Sequence, residues 1–401
     1  MVIYLPAVFL FLYLFFRLIW PLPISKRRKT LLAVLLFVVS QEHLIKGLFF
    51  GGLASPELPP IVLMIQGWLF VSLIFIFLIA LAWDILNLIG TAGRFFSNSP
   101  AGGSISPERR SFLLSGAVAV PAVIGAKKTL AAGLFSVPTA AYGVRQAVSE
   151  PIRRDFEVSL PRLPRELDGL RLIHVSDLHV SPLLTRDWVQ ELTDKINQAE
   201  PDLILITGDL VDGLPSRRME SMMPLRDLKA EYGVLACPGN HEYYVDYQGW
   251  MMAFSDLGLE MLVNEHRVLT IKGRDLVVAG LADPAALRFN LAGPDLHQAL
   301  KGAPKKALRI LLDHRPVQAP QNASHDIDLQ LSGHTHGGQL PGMTQITSLA
   351  NNGYLHGWYQ VGNMPMYVTS GAGLWNGFPV RLGVPGEVVQ LSLRHRSSPN
   401  S

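Results

Sequence analysis

Apolar residues are distributed in two different ways along this chain. Up to about residue 145 they form long, nearly unbroken runs, and from about Ser149 they form short runs that each end in a small polar cluster. Val2 to Trp20 is long enough to cross a hydrocarbon core of about 30 Å at about 1.5 Å per helical residue. Its one charge, Arg17, lies near the end and is expected to snorkel toward the interface. Pro59 to Trp83 predicts a second strong span, closed by Asp84 and Asn87. Thr30 to Phe50 is a weaker candidate, because Gln41-Glu42-His43 and Lys46 fall where charge is costly. Glu42 and Lys46 stand i,i+4 in the favourable order, which predicts a mutual pair inside a helix.

Ser106 to Arg145 predicts a fourth crossing. Its opening, Glu108-Arg109-Arg110-Ser111-Phe112-Leu113-Leu114, resembles a twin-arginine export signal, and equally reads as the cytoplasmic flank of a helix. Lys26-Arg27-Arg28-Lys29 follows the first span, the loop from Gly51 to Pro60 has no Lys or Arg, and Arg94, Arg109 and Arg110 follow the third. Positive-inside reasoning then places the first and third loops in the cytoplasm. Four crossings deliver the rest of the chain to the outer face. The expectation is a multi-pass protein of the cell membrane, with three to four transmembrane helices in residues 1–145 and an extracytoplasmic domain over 150–395.

Beyond the linker, Leu170 to Val175, Leu203 to Thr207, Gly233 to Cys237 and Ile327 to Leu331 are short β-branched and aliphatic runs that predict buried strands. Each runs into polar residues: Asp177-Leu178-His179, Gly208-Asp209, Gly239-Asn240-His241-Glu242 and Gly333-His334-Thr335-His336. Strand carboxyl ends are where open α/β sheets build their sites. A carboxylate beside an imidazole suits a borderline-hard divalent metal, and His-x-His framed by glycines lets the backbone fold closely around an ion. Leu311-Leu312-Asp313-His314 adds another histidine at a strand end. Alone, Asp177-x-His179 or Gly208-Asp209 reads as a turn, whereas His334-x-His336 between glycines is rarely structural. Their shared order and placement read as one metal site. Asp212 reads as a turn residue, Glu242 as support or a helix start, and Tyr243, Tyr244 and Trp250 as packing.

Composition agrees with the division. Of 401 residues 49% are hydrophobic and only 17% charged, too apolar for an ordinary soluble enzyme of this size. A net charge of +3 gives no support for nucleic-acid binding. The single cysteine, Cys237, excludes an intramolecular disulfide and reads as a buried filler.

The clusters together resemble the calcineurin-like metallophosphoesterases, whose pattern is D-x-H, G-D, G-N-H-[ED], H and G-H-x-H, and are most similar to a membrane-anchored bacterial branch. Ser176-Asp177-Leu178-His179, Gly208 to Gly213, Gly239 to Tyr243 and Gly333 to Gln339 carry the resemblance, with Thr369 to Gly373 and Pro379-Val380-Arg381-Leu382 similar to the closing strands. It implies an α/β fold in which transmembrane helices precede a four-layer α/β/β/α sandwich. It also implies that Asp177, His179 and His336 hold one metal and Asn240, His314 and His334 another, with Asp209 bridging. His241 would then be the catalytic acid at the leaving oxygen. Two divalent ions of Mn, Fe or Zn, about 3.5 to 4 Å apart, would activate a hydroxide against a phosphate ester or pyrophosphate bond. A phosphorylated small molecule is the implied substrate; a phosphorylated lipid, with membrane lipids as partners, is attractive because the anchor holds the site near the lipid plane. Two other readings remain open at this point: a catalytically idle phospho-ligand sensor or scaffold, and a transporter carrying a regulatory phosphoesterase.

Overall fold

The computed structural model describes residues 4–50, 55–97 and 126–395. Its contacts divide the chain into two units, Met1–Phe50 with Met64–Tyr142 and Gly51–Leu63 with Gly143–Ser401. The twin-arginine-like stretch around Arg109-Arg110 lies outside the described residues.

The first unit is helical. Tyr4–Leu14 continues into a π-helical turn at Phe15–Ile19, and Lys26–Ser40 bends by 65° at Gln41 into Glu42–Phe49. Among the described residues, one helix is by itself long and apolar enough to cross a membrane: Pro60–Gly90, 31 residues with mean hydropathy 2.7, part of the longer Pro60–Ser97. The bent pair Lys26–Ser40 and Glu42–Phe49 passes the same test only when taken together. The predicted Glu42–Lys46 pair is formed at 2.7 Å and buried. Arg17 departs from the snorkelling expectation. It is 8% exposed, and its guanidinium meets Asp84 at 2.5 Å, with Tyr13 donating to the same carboxylate at 2.7 Å. A charge amid apolar side chains is stabilised by a partner when one is in reach.

The second unit holds two six-stranded sheets. The first runs β1 (Ile152–Leu160), β12 (Glu387–His395), β2 (Arg171–Val175), β3 (Leu203–Thr207), β4 (Val234–Cys237) and β5 (Glu260–Met261). The second runs β10 (Gly357–Val361), β11 (Met364–Val368), β9 (Leu329–Ser332), β8 (Leu308–Leu312), β7 (Arg274–Gly280) and β6 (Glu265–Ile271). Strands β2 to β5 are mutually parallel, as are β7, β8, β9 and β11.

The unbroken apolar runs follow from this layering, since a parallel strand covered on both faces has no polar side. On β2 and β3, Leu172, Leu203 and Leu205 pack between the sheets against Val278, Ile310 and Leu329. Their neighbours Ile173, Ile204 and Ile206 face outward onto Trp188 and Leu192 of helix Arg186–Gln198 and Trp250 and Phe254 of helix Tyr247–Asp256. Ala279, Leu311 and Met366 make the matching layer on the second sheet with Leu296 and Ala319. Four layers result, helix on sheet on sheet on helix. Cys237 is buried between the sheets.

Candidate metal centre

Five parallel strands, three from one sheet and two from the other, end at one place. β2 leads to Asp177 and His179, β3 to Asp209, β4 to Asn240 and His241, β8 to His314, and β9 to His334 and His336. Strands β2, β3 and β9 stop there because their next residues leave extended geometry. Asp177, His179, Asp209, His334 and His336 all have positive φ, between 46° and 70°. Such conformations cost on the order of 1–3 kcal/mol each in a non-glycine residue, and persist only where surrounding bonds over-determine them.

Those bonds run from loop to loop. The Asp177 amide donates to the Gly208 carbonyl at 2.9 Å and the His179 amide to the Asp209 carbonyl at 3.0 Å. The His334 amide donates to the Asp177 carboxylate at 3.0 Å and the His241 amide to Asp209 Oδ1 at 2.8 Å. Glu242, fully buried, accepts from the amides of Asp209, Leu210 and Gly239 at 3.0, 2.7 and 2.7 Å. It therefore caps its own helix and fixes the backbone of Asp209. Close approach of the strand ends requires glycine at Gly208, whose φ is 83° and where a Cβ would overlap the Gly239 amide. A Cβ at Gly333 would likewise overlap Ser176 and the Asp177 carboxylate.

Seven of the predicted ligands and His241 are brought together. Asp177, His179 and His336 form one group, and Asp209, His314 and His334 another, with candidate ligand atoms inside each group within 4.8 Å of one another. Asp209 Oδ2 stands between the groups, 3.7 Å from His179 Nε2 and 3.2 Å from His314 Nε2. Asn240 is buried beside them, and its Oδ1 accepts no hydrogen bond from the described residues.

The donor set fits a divalent cation. His314 Nδ1 lies 2.6 Å from the Thr207 carbonyl, an atom that only accepts, so Nδ1 carries the proton. Nε2 is left to face the Asp209 carboxylate with its lone pair unless a positive charge lies between them. Protein charges alone express the same demand. Burial opposes charge on the His314 ring, yet Asp209 and Asp177 lift it to about 10. Its neighbour His334 is driven well below the ordinary range by burial, His314 and Arg315. One positive charge is wanted among several rings. His179 Nε2 and His336 Nε2, only 3.2 Å apart, have the same requirement.

Three further residues shape the site, and the sequence reading had given them little. Asp212, read as a turn residue, is fully buried, and its Oδ1 meets His179 Nδ1 at 3.1 Å and His241 Nδ1 at 2.6 Å. Burial works against its charge, but the two histidines hold the carboxyl down at about 2. In return, burial of His241 is outweighed by Asp209 and Asp212, which raise its imidazole to about 9. Asn376 donates its amide to Asp212 Oδ2 at 3.3 Å. Arg381 is buried and donates to the carbonyls of Ser370 and Gly373 at 2.8 and 2.6 Å, bracing the loop whose Gly373 amide bonds the Asp177 carbonyl. The pairing of Asp212 with His241 had one available signal, the repeated acid in Gly208-Asp209-Leu210-Val211-Asp212. Tyr243 and Trp250 are buried packing residues, whereas His356 binds the buried Glu387 away from the metal groups. A cleft of about 200 Å³ opens over Asp209, Asn240, His241, His334 and His336, with Trp375 in its wall.

Residues 170–338 match the profile of the calcineurin-like phosphoesterases. An uncharacterized metallophosphoesterase of Bacillus subtilis is 31% identical over 242 residues, covering 58% of this chain and 82% of that protein. The chain belongs to the calcineurin-like metallophosphoesterase family. This metallophosphoesterase is also 35% identical over 277 residues to a zebrafish protein named transmembrane protein with metallophosphoesterase domain, covering 67% of this chain and 63% of that one. An uncharacterized metallophosphoesterase of Helicobacter pylori is 36% identical over 253 residues, covering 63% of this chain and 66% of its own length. The chain thus spans about two thirds of those two relatives.

Proposed function

We propose that the chain is a membrane-anchored, metal-dependent phosphoesterase that hydrolyses a phosphate ester or pyrophosphate bond. The observation that carries this reading is the position of Asp209 Oδ2 between two ligand groups, at the floor of a cleft edged by His241. Asp177, His179 and His336 would hold one ion, Asn240, His314 and His334 the second, and Asp209 both. Nitrogen and oxygen donors without thiolate suit Mn, Fe or Zn. Two such ions supply Lewis-acid chemistry, lowering the pKa of water and neutralising phosphoryl charge.

The chain's own groups do the rest. Asp212 accepts the Nδ1 proton of His241, which leaves Nε2 as the ring nitrogen that can serve the cleft. With its charged form favoured, His241 delivers the Nε2 proton to the departing oxygen. Glu242 and the loop-to-loop bonds keep Asp209 fixed through the reaction, so no reorganisation is needed as charge develops. Residues 150–395 carry this chemistry and residues 1–145 the anchor. The arginine and lysine asymmetry favours an extracytoplasmic site, and an anchored site favours a lipid-linked phosphate.

Hydrolysis of a chromogenic phosphodiester with added Mn²⁺ tests the assignment. Turnover is expected to require metal and to collapse in both Asp209→Asn and His241→Ala. Undiminished turnover in either variant sinks the assigned site.

A further inference from the structure

The segment between Asp328 and Arg381 contains no Asp, Glu, Lys or Arg, although it runs from the metal ligands His334 and His336 to the cleft residue Trp375. Within it lies the helix Met343–Ala350, none of whose side chains is buried. Met343, Ile346 and Leu349 stand at i, i+3 and i+6, hence on one face, with exposures of 38%, 65% and 82%. Thr347 of the same helix lines the cleft. A second exposed apolar pair, Leu287 and Phe289, reaches the site through Tyr244, whose ring lies 6.5 Å from that of Phe289 and 5.1 Å from that of His241.

An eight-residue helix is marginal in water on its own and draws its stability from an apolar face that packs on something. Here no side chain of that helix is buried, and Ile346 and Leu349 are mostly exposed among the described residues. Large apolar side chains left in water forgo the stabilisation that burial would give them. An apolar patch beside a cleft marks an interaction surface. What covers it is indicated by the loop that precedes the longest apolar helix. Residues Gly51–Leu63 belong to the same unit as the cleft. Glu57 pairs with Arg218 at 2.5 Å, and the Pro56 carbonyl accepts from Asn376, the neighbour of Trp375, at 3.3 Å. Three residues further on begins Pro60–Gly90, the helix of membrane-crossing length. The cleft-bearing unit therefore holds the point where the chain enters that helix, close to the cleft wall itself. The Met343, Ile346 and Leu349 face carries no charged side chain of its own, so lipid contact desolvates no charge on it, and Arg288, exposed between Leu287 and Phe289, is long enough to snorkel to the headgroups.

We propose that the apolar face of Met343–Ala350, with Leu287 and Phe289, docks onto the lipid bilayer and seats the cleft on it, so that the substrate is a phosphate ester carried by a bilayer lipid. The docking part stands on the surface alone; the substrate part rests on the phosphoesterase reading above. The face acts as an interfacial element, dipping apolar side chains a few ångströms below the headgroups.

Full-length protein reconstituted in phosphatidylethanolamine–phosphatidylglycerol vesicles containing phosphatidic acid gives the test. An environment-sensitive fluorophore on Ile346→Cys should be blue-shifted and quenched by spin-labelled lipid, while the same fluorophore on the exposed Lys305→Cys should not. Ile346→Glu with Leu349→Glu should cut phosphate release from vesicle lipid at least tenfold and leave turnover of a soluble chromogenic phosphodiester unchanged. Equal wetting of positions 346 and 305 overturns docking. Quenching of Ile346→Cys by a second labelled copy instead of by lipid assigns the face to self-association and also overturns it. Equal loss on both substrates in the Glu pair, repeated in Ile346→Ser with Leu349→Ser, overturns the role in lipid turnover. Absence of all wild-type turnover with the fluorophore still lipid-quenched would defeat the phosphoesterase reading and leave docking intact.

Discussion

The helix Pro60–Ser97 and the strand Leu203–Thr207 are built from the same aliphatic residues and treat them in opposite ways. In the helix, Ile61, Ile65, Leu86 and Ile89 are 45% to 65% exposed, while Leu63, Val71 and Ala80 are buried. In the strand every residue from Leu203 to Thr207 is buried, between a sheet on one side and helices on the other. Exposed aliphatic side chains thus recur along the helix and are absent from the strand. That contrast gives the few exposed apolar residues of the catalytic unit, Ile346 and Leu349 among them, their significance. It also explains why polar groups gather where they do, since a strand with two covered faces can present chemistry only at its end.

The sharpest break of the comparison comes at such an end. Asp209→Asn keeps the shape of the side chain and removes half its ligand capacity, so turnover should fall about 10³-fold or more, as several kcal/mol of electrostatic stabilisation are lost. Metal content of the purified variant, read beside its rate, should fall as well. Full metal occupancy at wild-type rate would separate Asp209 from the site.

Ile204→Ala and Ile65→Ala make the contrast itself measurable. The buried strand position should lose about 2–5 kcal/mol, because its neighbours cannot close over the space. The helix position, 45% exposed, should lose well under about 1 kcal/mol in detergent or lipid. Equal losses in thermal melts of the two variants would contradict the opposite roles assigned to their surroundings.

Much of this architecture is legible in the sequence because it follows from period and position. The four apolar runs fall on β2, β3, β4 and β9 within a residue or two, Leu311-Leu312 falls on β8, and the polar clusters at their ends converge in space. Less legible is what depends on who meets whom across the fold. Asp212 looks like a turn residue because its partners, His179 and His241, come from different strands. Arg17 looks like a snorkelling arginine because Asp84 is 67 residues away. The backbone carbonyl that orients His314 belongs to Thr207, and no residue pattern encodes a carbonyl. Helix Met343–Ala350 carries an apolar face that in sequence alone would read as core.

Asp212→Asn probes one of those hidden contacts. If His179 holds metal as proposed, losing the carboxylate that orients it should cost about 10- to 100-fold, in kcat more than in KM. The pH profile gives the sign. His241 has its proton favoured by Asp209 and Asp212, so proton delivery is available below its raised pKa, about 9 from protein charges alone, and is lost above it. Without the Asp212 charge the alkaline limb should move to lower pH. An unmoved limb in the variant would mean that another group donates the proton.

The smallest effect concerns a polar residue that breaks the strand rule away from its end. His174 is fully buried in β2, with Nε2 2.8 Å from Thr207 Oγ1. Burial, only partly offset by Glu387, depresses its pKa to about 3. The unfolded chain, titrating near 6.5, binds a proton that the folded chain refuses between those values. Stability from this residue is thus complete above about pH 6.5 and declines as pH falls toward 3. Between pH 6 and 5 the single group accounts for about 1 kcal/mol. A His174→Gln variant, neutral throughout, should lose that much less stability than wild type over the same interval in thermal melts, whatever its stability at neutral pH. Identical pH dependence of the two proteins would mean that the imidazole accepts its proton inside the sheet, and that the layer between the strands is less dry than its leucines imply.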